Sequence, residues 1–362
     1  MALKYKEIAA QLRQQILDGS YPPGSLLPTE QQLCALYDAS RQTIRTALQC
    51  LADEGLISRR QGSGSFSHEA PASSVSAGSV PGARLSIAIV TTYISDYIFP
   101  SILREIEAVC SRNNSTPLLF ATQNQVDKER QILKTLLEMD VLDGILVEGT
   151  KTGFPNPNLD LYRQLIERKI PLVFFHGNYP ELSQTLSVLD DNRSGGQMLV
   201  DYLYQKGHRK IAGIFKSDDI QGHQRYAGFT TALLDHQLEI NDQNILWYDT
   251  ELKQRILEGF FQPDIMTQVL EGCTAVVCYN DEIASHVVST LTKSHTSIPG
   301  EIAVVSFDNS PYSEMSSPRI TSLSHGQYNV GRTAAELLFR CIQKDACQSL
   351  LVPWELIQKE SS

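Results

Sequence analysis

From Leu85 to Phe307, apolar runs of strand length alternate with stretches of helical period, a rhythm that limits the chain to an α/β architecture built on parallel sheets. Strand-like runs fall at 85–91, 117–121, 144–147 and 171–175, with helices expected near 99–110, 128–139 and 159–168 between them. The pattern then restarts. Helices near 194–205, 223–236, 265–270 and 282–291 alternate with strands at 210–215, 245–248, 274–278 and 302–307. Two similar lobes of doubly wound sheet are expected. Such sheets place their ligand-binding loops beyond the carboxyl ends of the strands, so the cleft between the lobes is the expected small-molecule site.

The residues at those strand ends have a consistent chemistry. The loop Tyr93–Phe99 carries Asp96, Tyr97 and Phe99; other strand ends carry Glu148 and Lys151, His176, Arg225, Asn280 with Asp281, Asp308 with Asn309, and His325. Aromatic rings can cover the apolar face of a sugar while carboxylates, amides and cations exchange hydrogen bonds with its hydroxyls. Each residue also has a plain structural use: Asn280 or Asp281 can cap the next helix, Asp190 and Asp191 another, and His208 beside Gly207 suits a helix end. Their recurrence at strand ends in both lobes favours a binding cleft.

Upstream, Ser67–Ala83 consists largely of Ala, Ser, Gly, Pro and Val without periodicity, the composition of a flexible connector. The expected division is residues 1–68, a linker at 69–84, and the two-lobed body at 85–362. Net charge is −10, which by itself argues against nucleic acid, but it is unevenly placed. Residues 1–68 hold seven Lys/Arg against six Asp/Glu, leaving 24 against 35 for the remainder. The acidity belongs to the body. Arg41, Arg45, Arg59 and Arg60 leave room for a local basic face on the head.

In the head, Ile8, Leu12 and Ile16 mark a first helix. Pro22-Pro23-Gly24 interrupts it, and Thr29 caps a second helix with Leu33 and Leu36 as its expected buried face. Ser40 then caps a third helix running to about Glu54, with Ile44, Ala47, Leu48 and Leu51 on one stripe and Arg41 and Arg45 opposite. Spaced by four, the two arginines share a face that suits guanine edges or phosphates; Gln42 and Thr43 complete the polar first turn. A solvated amphipathic helix would have the same pattern, but the flanks favour a helix-turn-helix. Leu56–Arg60, a turn at Gln61-Gly62-Ser63-Gly64 and a return through Ser65-Phe66 read as a hairpin wing, in which Gln61 and Gly62 sit at the tip.

Residues 4–66 resemble the winged helix-turn-helix of the GntR regulators. The resemblance rests on Gly19-x-Tyr21-x-Pro23-Gly24-x-x-Leu27-Pro28-Thr29-Glu30, Ser40-Arg41-x-Thr43-Ile44-Arg45-x-Ala47-Leu48, Glu54-Gly55-Leu56-Ile57 and Gly62-x-Gly64-x-Phe66. It implies DNA contacts by Arg41, Gln42, Thr43 and Arg45, by Gln61 and Gly62 at the wing, and auxiliary contacts by Lys4 and Glu30. Ala39 and Ser65 depart from the usual valine and threonine. The body resembles the LacI and periplasmic sugar-binding group in Gly207-His208-Arg209-Lys210-Ile211-Ala212, Arg225-Tyr226-Ala227-Gly228-Phe229, Cys278-Tyr279-Asn280-Asp281 and Val305-Ser306-Phe307-Asp308. That resemblance implies ligand contacts by Phe99, Arg225, Asn280, Asp308, His176 and His325. The combined build is similar to that of arabinose-responsive repressors, which implies L-arabinose or a related sugar as effector.

The expectation is therefore an α/β protein with an N-terminal winged helix-turn-helix and a two-lobed periplasmic-binding-protein-like domain of doubly wound sheets. Its expected function is repression from operator DNA, which it binds as a homodimer and leaves when sugar binds, without cofactor or metal. Seven cysteines include no C-x-x-C pair, and no apolar run is long enough to span a bilayer, so a cytoplasmic protein with unpaired thiols is expected. Two alternatives use the same cleft. An enzyme could employ Asp190, Asp191, Glu148 or His176 for acid–base work, though no nucleophile motif, Walker loop or metal cluster accompanies them. A sugar-transport receptor is opposed by the attached head and the absence of an export signal.

Overall fold

The computed structural model of the protein describes residues 8–9, 11–12, 15, 21, 25–37, 39–53, 57–60, 64–67, 84–257 and 263–362. The chain divides into two compact units, Met1–Ala83 and Arg84–Ser362. The expected linker at 69–84 lies outside the described residues save for its last position.

In the first unit, helix α1 (Glu30–Tyr37) and helix α2 (Arg41–Asp53) are both capped from the sequence. Thr29 and Gln32 form a reciprocal capping box: Gln32 N donates to Thr29 Oγ1 at 3.3 Å and Thr29 N to Gln32 Oε1 at 2.8 Å. Ser40 caps α2, its Oγ accepting from Thr43 N at 3.2 Å. A small core gathers Ile8, Leu12, Leu27, Leu33, Ile44, Ala47, Leu48, Leu51 and Ile57. Leu36, expected on the buried face of α1, is instead 64% exposed: one turn beyond Leu33, it falls past the edge of this core. The wing is an antiparallel pair, β1 (Ile57–Arg60) and β2 (Gly64–Ser67), with Arg60 opposite Gly64. Leu27 N donates to Ser65 O at 2.8 Å and ties this hairpin to the segment before α1.

The second unit holds two six-stranded sheets. The first lobe has the order β13-β7-β6-β5-β3-β4, from Leu85–Thr91 (β3), Ser115–Ala121 (β4), Gly144–Val147 (β5), Leu172–Phe175 (β6), Leu186–Asp190 (β7) and Leu350–Val352 (β13). The second has β14-β12-β11-β10-β8-β9, from Ile211–Lys216 (β8), Ile245–Tyr248 (β9), Ala275–Cys278 (β10), Ala303–Phe307 (β11), Thr321–Ser324 (β12) and Glu355–Ile357 (β14). All pairings in these sheets are parallel except that of edge strand β14 with β12. Fully buried β5, β6 and β10 read as continuous apolar runs because helices cover both faces.

The lobes are not successive in the chain. Strand β7 belongs to the first lobe, and Asp191 leads into a helix of the second, Asn192–Gln205 (α6 when α3–α5 are Phe99–Arg112, Val126–Glu138 and Leu159–Glu167). After β12 the chain returns to the first lobe as helix Val330–Ile342, which packs its Val330, Ala334, Leu338 and Phe339 into that lobe's core with Ile102 and Ile106 of α3. It crosses back between β13 and β14. Among the described residues three segments thus join the lobes: 190–192, 324–330 and 352–355.

Candidate functional site

On the head, the face of α2 opposite its buried stripe presents Arg41 and Arg45, both exposed, with Thr43 half-buried beside Ser40. Arg45 Nε donates to Glu30 Oε2 at 2.8 Å, so Glu30 braces a side chain of this exposed face. Gln42 belongs to the first turn of α2, though its side chain lies outside the described residues, as do Lys4, Gln61 and Gly62.

In the body, the carboxyl ends of the strands converge on a cavity of about 80 Å³ between the lobes. From the sequence-derived set, Asp96, Tyr97, Phe99, Glu148, His176, Arg225, Asn280 and Asp308 all line it. Two others do not. Lys151 stands outside, its Nζ 2.7 Å from Glu251 Oε1 across the cleft mouth. His325 lies behind the wall, with Nε2 2.7 Å from Asp190 Oδ1 and its ring stacked on Trp354 at 3.7 Å. The sequence reading missed further lining groups, notably Tyr93, Asn124, Lys216, Asp219, Lys253 and Tyr279. Lys216 ends the apolar strand β8 and Ser217-Asp218-Asp219 follow it, so the rule that ligands sit at strand ends would have found this group.

Arg225 organises the second-lobe wall. It sits on helix Ile220–Asp235, which approaches α6 so closely that a Cβ on Gly196 would lie 2.2 Å from Arg225 O and one on Gly228 1.9 Å from Arg193 O. Only glycine permits that crossing. The side chain is 2% exposed: Nε donates to Asn192 Oδ1 at 2.8 Å, one terminal nitrogen bonds Tyr279 O, and the other lies 3.4 Å from Asp308 Oδ1. The guanidinium also lies over the Phe307 ring at 4.2 Å and the Tyr279 ring at 4.7 Å. Burial disfavours its charge, but the Asp308 carboxylate outweighs that and raises its pKa. Asn280 does what its sequence context allowed, its Oδ1 capping helix Asp281–Lys293 by accepting from Ile283 N at 3.1 Å.

From the first lobe, Glu148 accepts from Thr92 N at 2.7 Å and Thr92 Oγ1 at 2.6 Å, and burial raises its pKa against those bonds. His176, at φ 59°, gives Nδ1 to Asp190 Oδ2 at 2.9 Å. Burial pushes its pKa down, but Asp190 dominates and lifts it to about 9, so the ring is charged at neutral pH. Asp190 is held well below the usual carboxylate range by its two histidines despite burial. His176 Nε2, buried at the cavity wall, has no hydrogen-bond partner among the protein groups.

The cations of the wall are matched one by one. Lys216 Nζ is 2.6 Å from Asp219 Oδ2, Lys253 Nζ 2.5 Å from Glu282 Oε2, and Arg225 and His176 pair as above. The lobes meet in direct hydrogen bonds: Tyr97 OH donates to Asp308 Oδ2 at 2.7 Å and accepts from Asp281 N at 3.2 Å. Asn124 Nδ2 donates to Thr250 Oγ1 at 2.6 Å, and Gln221 Nε2 to Asp190 Oδ2 at 2.5 Å. Among the described residues no group of His, Cys, Asp and Glu could hold a metal ion, and no helix is long and apolar enough to cross a membrane.

A helix-turn-helix head and a two-lobed body of periplasmic-binding-protein type define a transcription regulator, not an enzyme. Residues 4–66 match the bacterial regulatory proteins of the gntR family, and residues 200–362 the periplasmic binding protein-like domain. The arabinose metabolism transcriptional repressor of Halalkalibacterium halodurans is 33% identical over 370 residues, covering 100% of this chain and 97% of its own. That of Geobacillus stearothermophilus is 33% identical over 363 residues, covering 99% and 97%. The chain belongs to this family of transcriptional repressors. Among solved structures, a periplasmic binding protein/LacI transcriptional regulator from Alkaliphilus metalliredigens complexed with D-xylulofuranose is 25% identical, with a TM-score of 0.64 over 76% of this chain and 98% of that one. CcpA of Lactococcus lactis, at 23% identity and TM-score 0.67 over 77% and 100%, shares the fold.

Proposed function

We propose that the protein represses sugar-utilisation genes by binding operator DNA as a homodimer and releases it when L-arabinose enters the interlobe cavity. The observation that carries this reading is the wall's charge pairing. Because each lining cation already has a carboxylate partner, the site suits a neutral polyol rather than a phosphate or carboxylate ligand. His176 Nε2 adds a fixed donor for a hydroxyl, and Tyr93, Phe99 and Tyr279 supply rings for the sugar's apolar face. The full-length relatives named for arabinose metabolism support the choice of sugar.

Release follows from differential affinity. A sugar that bonds both lobes favours the closed body, and if that form pairs poorly with operator-bound heads, DNA must weaken sugar binding by the same factor that sugar weakens DNA binding. The reading is tested by calorimetry of L-arabinose and other pentoses against the full-length protein, with and without operator. Loss of arabinose affinity on adding operator supports the reading; equal affinity in both conditions, or no arabinose binding, overturns it.

A further inference from the structure

Beside the cavity, on the side of the segment 324–330, runs a second concave surface of about 480 Å³. The two share four lining residues, Tyr97, Ile98, His176 and Asp308, so they are separated by little more than the Tyr97 side chain. Each belongs to a different scale. The cavity, at about 80 Å³, is the tighter of the two, whereas the groove falls within the range of small-molecule sites, roughly 300–1,000 Å³.

We propose that this groove is a second sugar subsite, and that the protein binds a pentose disaccharide with one ring in the cavity and the glycosidically linked second ring in the groove. This rests on the cavity being the sugar site. The groove has the mixed lining that a sugar ring requires: Pro100 and the half-exposed Tyr328 as apolar surface, with Ser101, Asn309 and Ser324 as hydroxyl and amide partners. At the junction, His176 is 7% exposed and lines both surfaces, and its Nε2 lacks a protein partner. A glycosidic or ring oxygen passing from one chamber to the other would accept from it. Tyr97, on a left-handed backbone at φ 53°, forms the partition, and a linked ring must displace its side chain, whose hydroxyl bonds Asp308 and Asp281 N and whose ring lies 5.8 Å from that of Tyr312.

The test is calorimetric titration of full-length protein with L-arabinose and with a linked disaccharide of L-arabinose, on the wild type and on Tyr328→Ala and Tyr328→Phe. Tyr328 stands at the rim with 52% exposure, so neither change threatens the fold. We expect Tyr328→Ala to weaken the disaccharide about tenfold, equal to about 1.4 kcal/mol, and to leave the monosaccharide unchanged, with Tyr328→Phe behaving as wild type. A disaccharide that fails to bind while the monosaccharide binds overturns the subsite alone, as does a disaccharide affinity indifferent to Tyr328→Ala. Failure of both sugars to bind overturns the cavity reading and the subsite with it.

Discussion

Arg45 Nε and Glu30 Oε2 stand 2.8 Å apart, linking two residues fifteen positions apart in sequence, one at the start of α1 and the other one turn into α2. The pair is exposed, so its contribution to stability is small, but it limits the directions in which the guanidinium can point. A contact-making arginine gains specificity when its fork is held before the partner arrives.

Arg45→Ala should therefore weaken operator binding and loosen base preference by about 1 to 3 kcal/mol, the discrimination carried by one bidentate arginine–guanine contact. Glu30→Ala keeps the guanidinium and should cost less. Fluorescence anisotropy at fixed salt checks both; unaltered affinity of Arg45→Ala would end its assignment to the DNA face. Arabinose affinity should not change in either variant.

Arg225→Ala should abolish release by arabinose and also destabilise the body. Its removal leaves Asp308 and Asn192 buried without their partner, and breaking a buried pair costs about 3 to 5 kcal/mol. Thermal unfolding monitors the second effect, and operator release assayed well below the variant's Tm monitors the first. Undiminished release would remove Arg225 from the sugar site.

Tyr97→Phe deletes a neutral hydroxyl that donates to a carboxylate across the lobes, a class of bond contributing about 1.5 to 3 kcal/mol. Closure should become less favourable and arabinose binding weaker by roughly tenfold or more, with little change in Tm because each lobe's own core is untouched. Small-angle scattering with saturating sugar should then show the same closed form; a body that remains open at saturation would show that Tyr97 does more than bias the equilibrium.

How much of this was legible beforehand depended on what each residue type can announce. The capping residues Thr29 and Ser40, and the continuous apolar strands, were read from sequence because their chemistry is local. Strand β12 was not. Thr321-Ser-Leu-Ser looks like a surface turn, yet it is buried because Ser322 Oγ donates to Asp281 Oδ1 at 2.6 Å, a partner 41 residues away. Helix Val330–Ile342 carries a clear helical stripe, but periodicity does not say which lobe it covers. Likewise Lys151 and His325 have the right chemistry for sugar; only their partners, Glu251 and Asp190, place them outside the cavity.

Stability should fall as pH rises through the range in which His176 loses its proton. Its folded pKa, about 9, lies above the ordinary value of 6.5, since Asp190, Glu148 and Asp308 outweigh the effect of burial. The contribution is therefore complete below pH 6.5 and is lost as pH climbs through about 9, at most roughly 3 kcal/mol. Denaturant unfolding of wild type and His176→Gln across pH 6 to 9.5 measures it. The wild-type curve should decline relative to the variant; parallel curves would contradict a charged His176.

Doubling the linker at 69–84 should weaken induction while leaving sugar affinity intact. The Ala-, Ser-, Gly- and Pro-rich composition of this stretch is that of a flexible tether, which transmits no torque; in the proposed homodimer the body would then control its heads through the spacing it allows them, and longer tethers would relax that spacing. Footprinting with and without arabinose reads the outcome. Full induction with the longer linker would refute control by spacing.

The three passages of chain between the lobes bear on how such a protein can be assembled by recombination. A head can be exchanged by one join between the two units, since among the described residues the first strand of the body begins at Leu85. A lobe cannot be exchanged so simply. The first lobe's sheet is completed by a strand encoded more than 150 residues downstream of its other members, and separating one lobe from the other demands three joins made together at 190–192, 324–330 and 352–355. Gene fusion can therefore give this body a new DNA address in a single event, whereas a new effector must be reached by point substitution within the walls it already has.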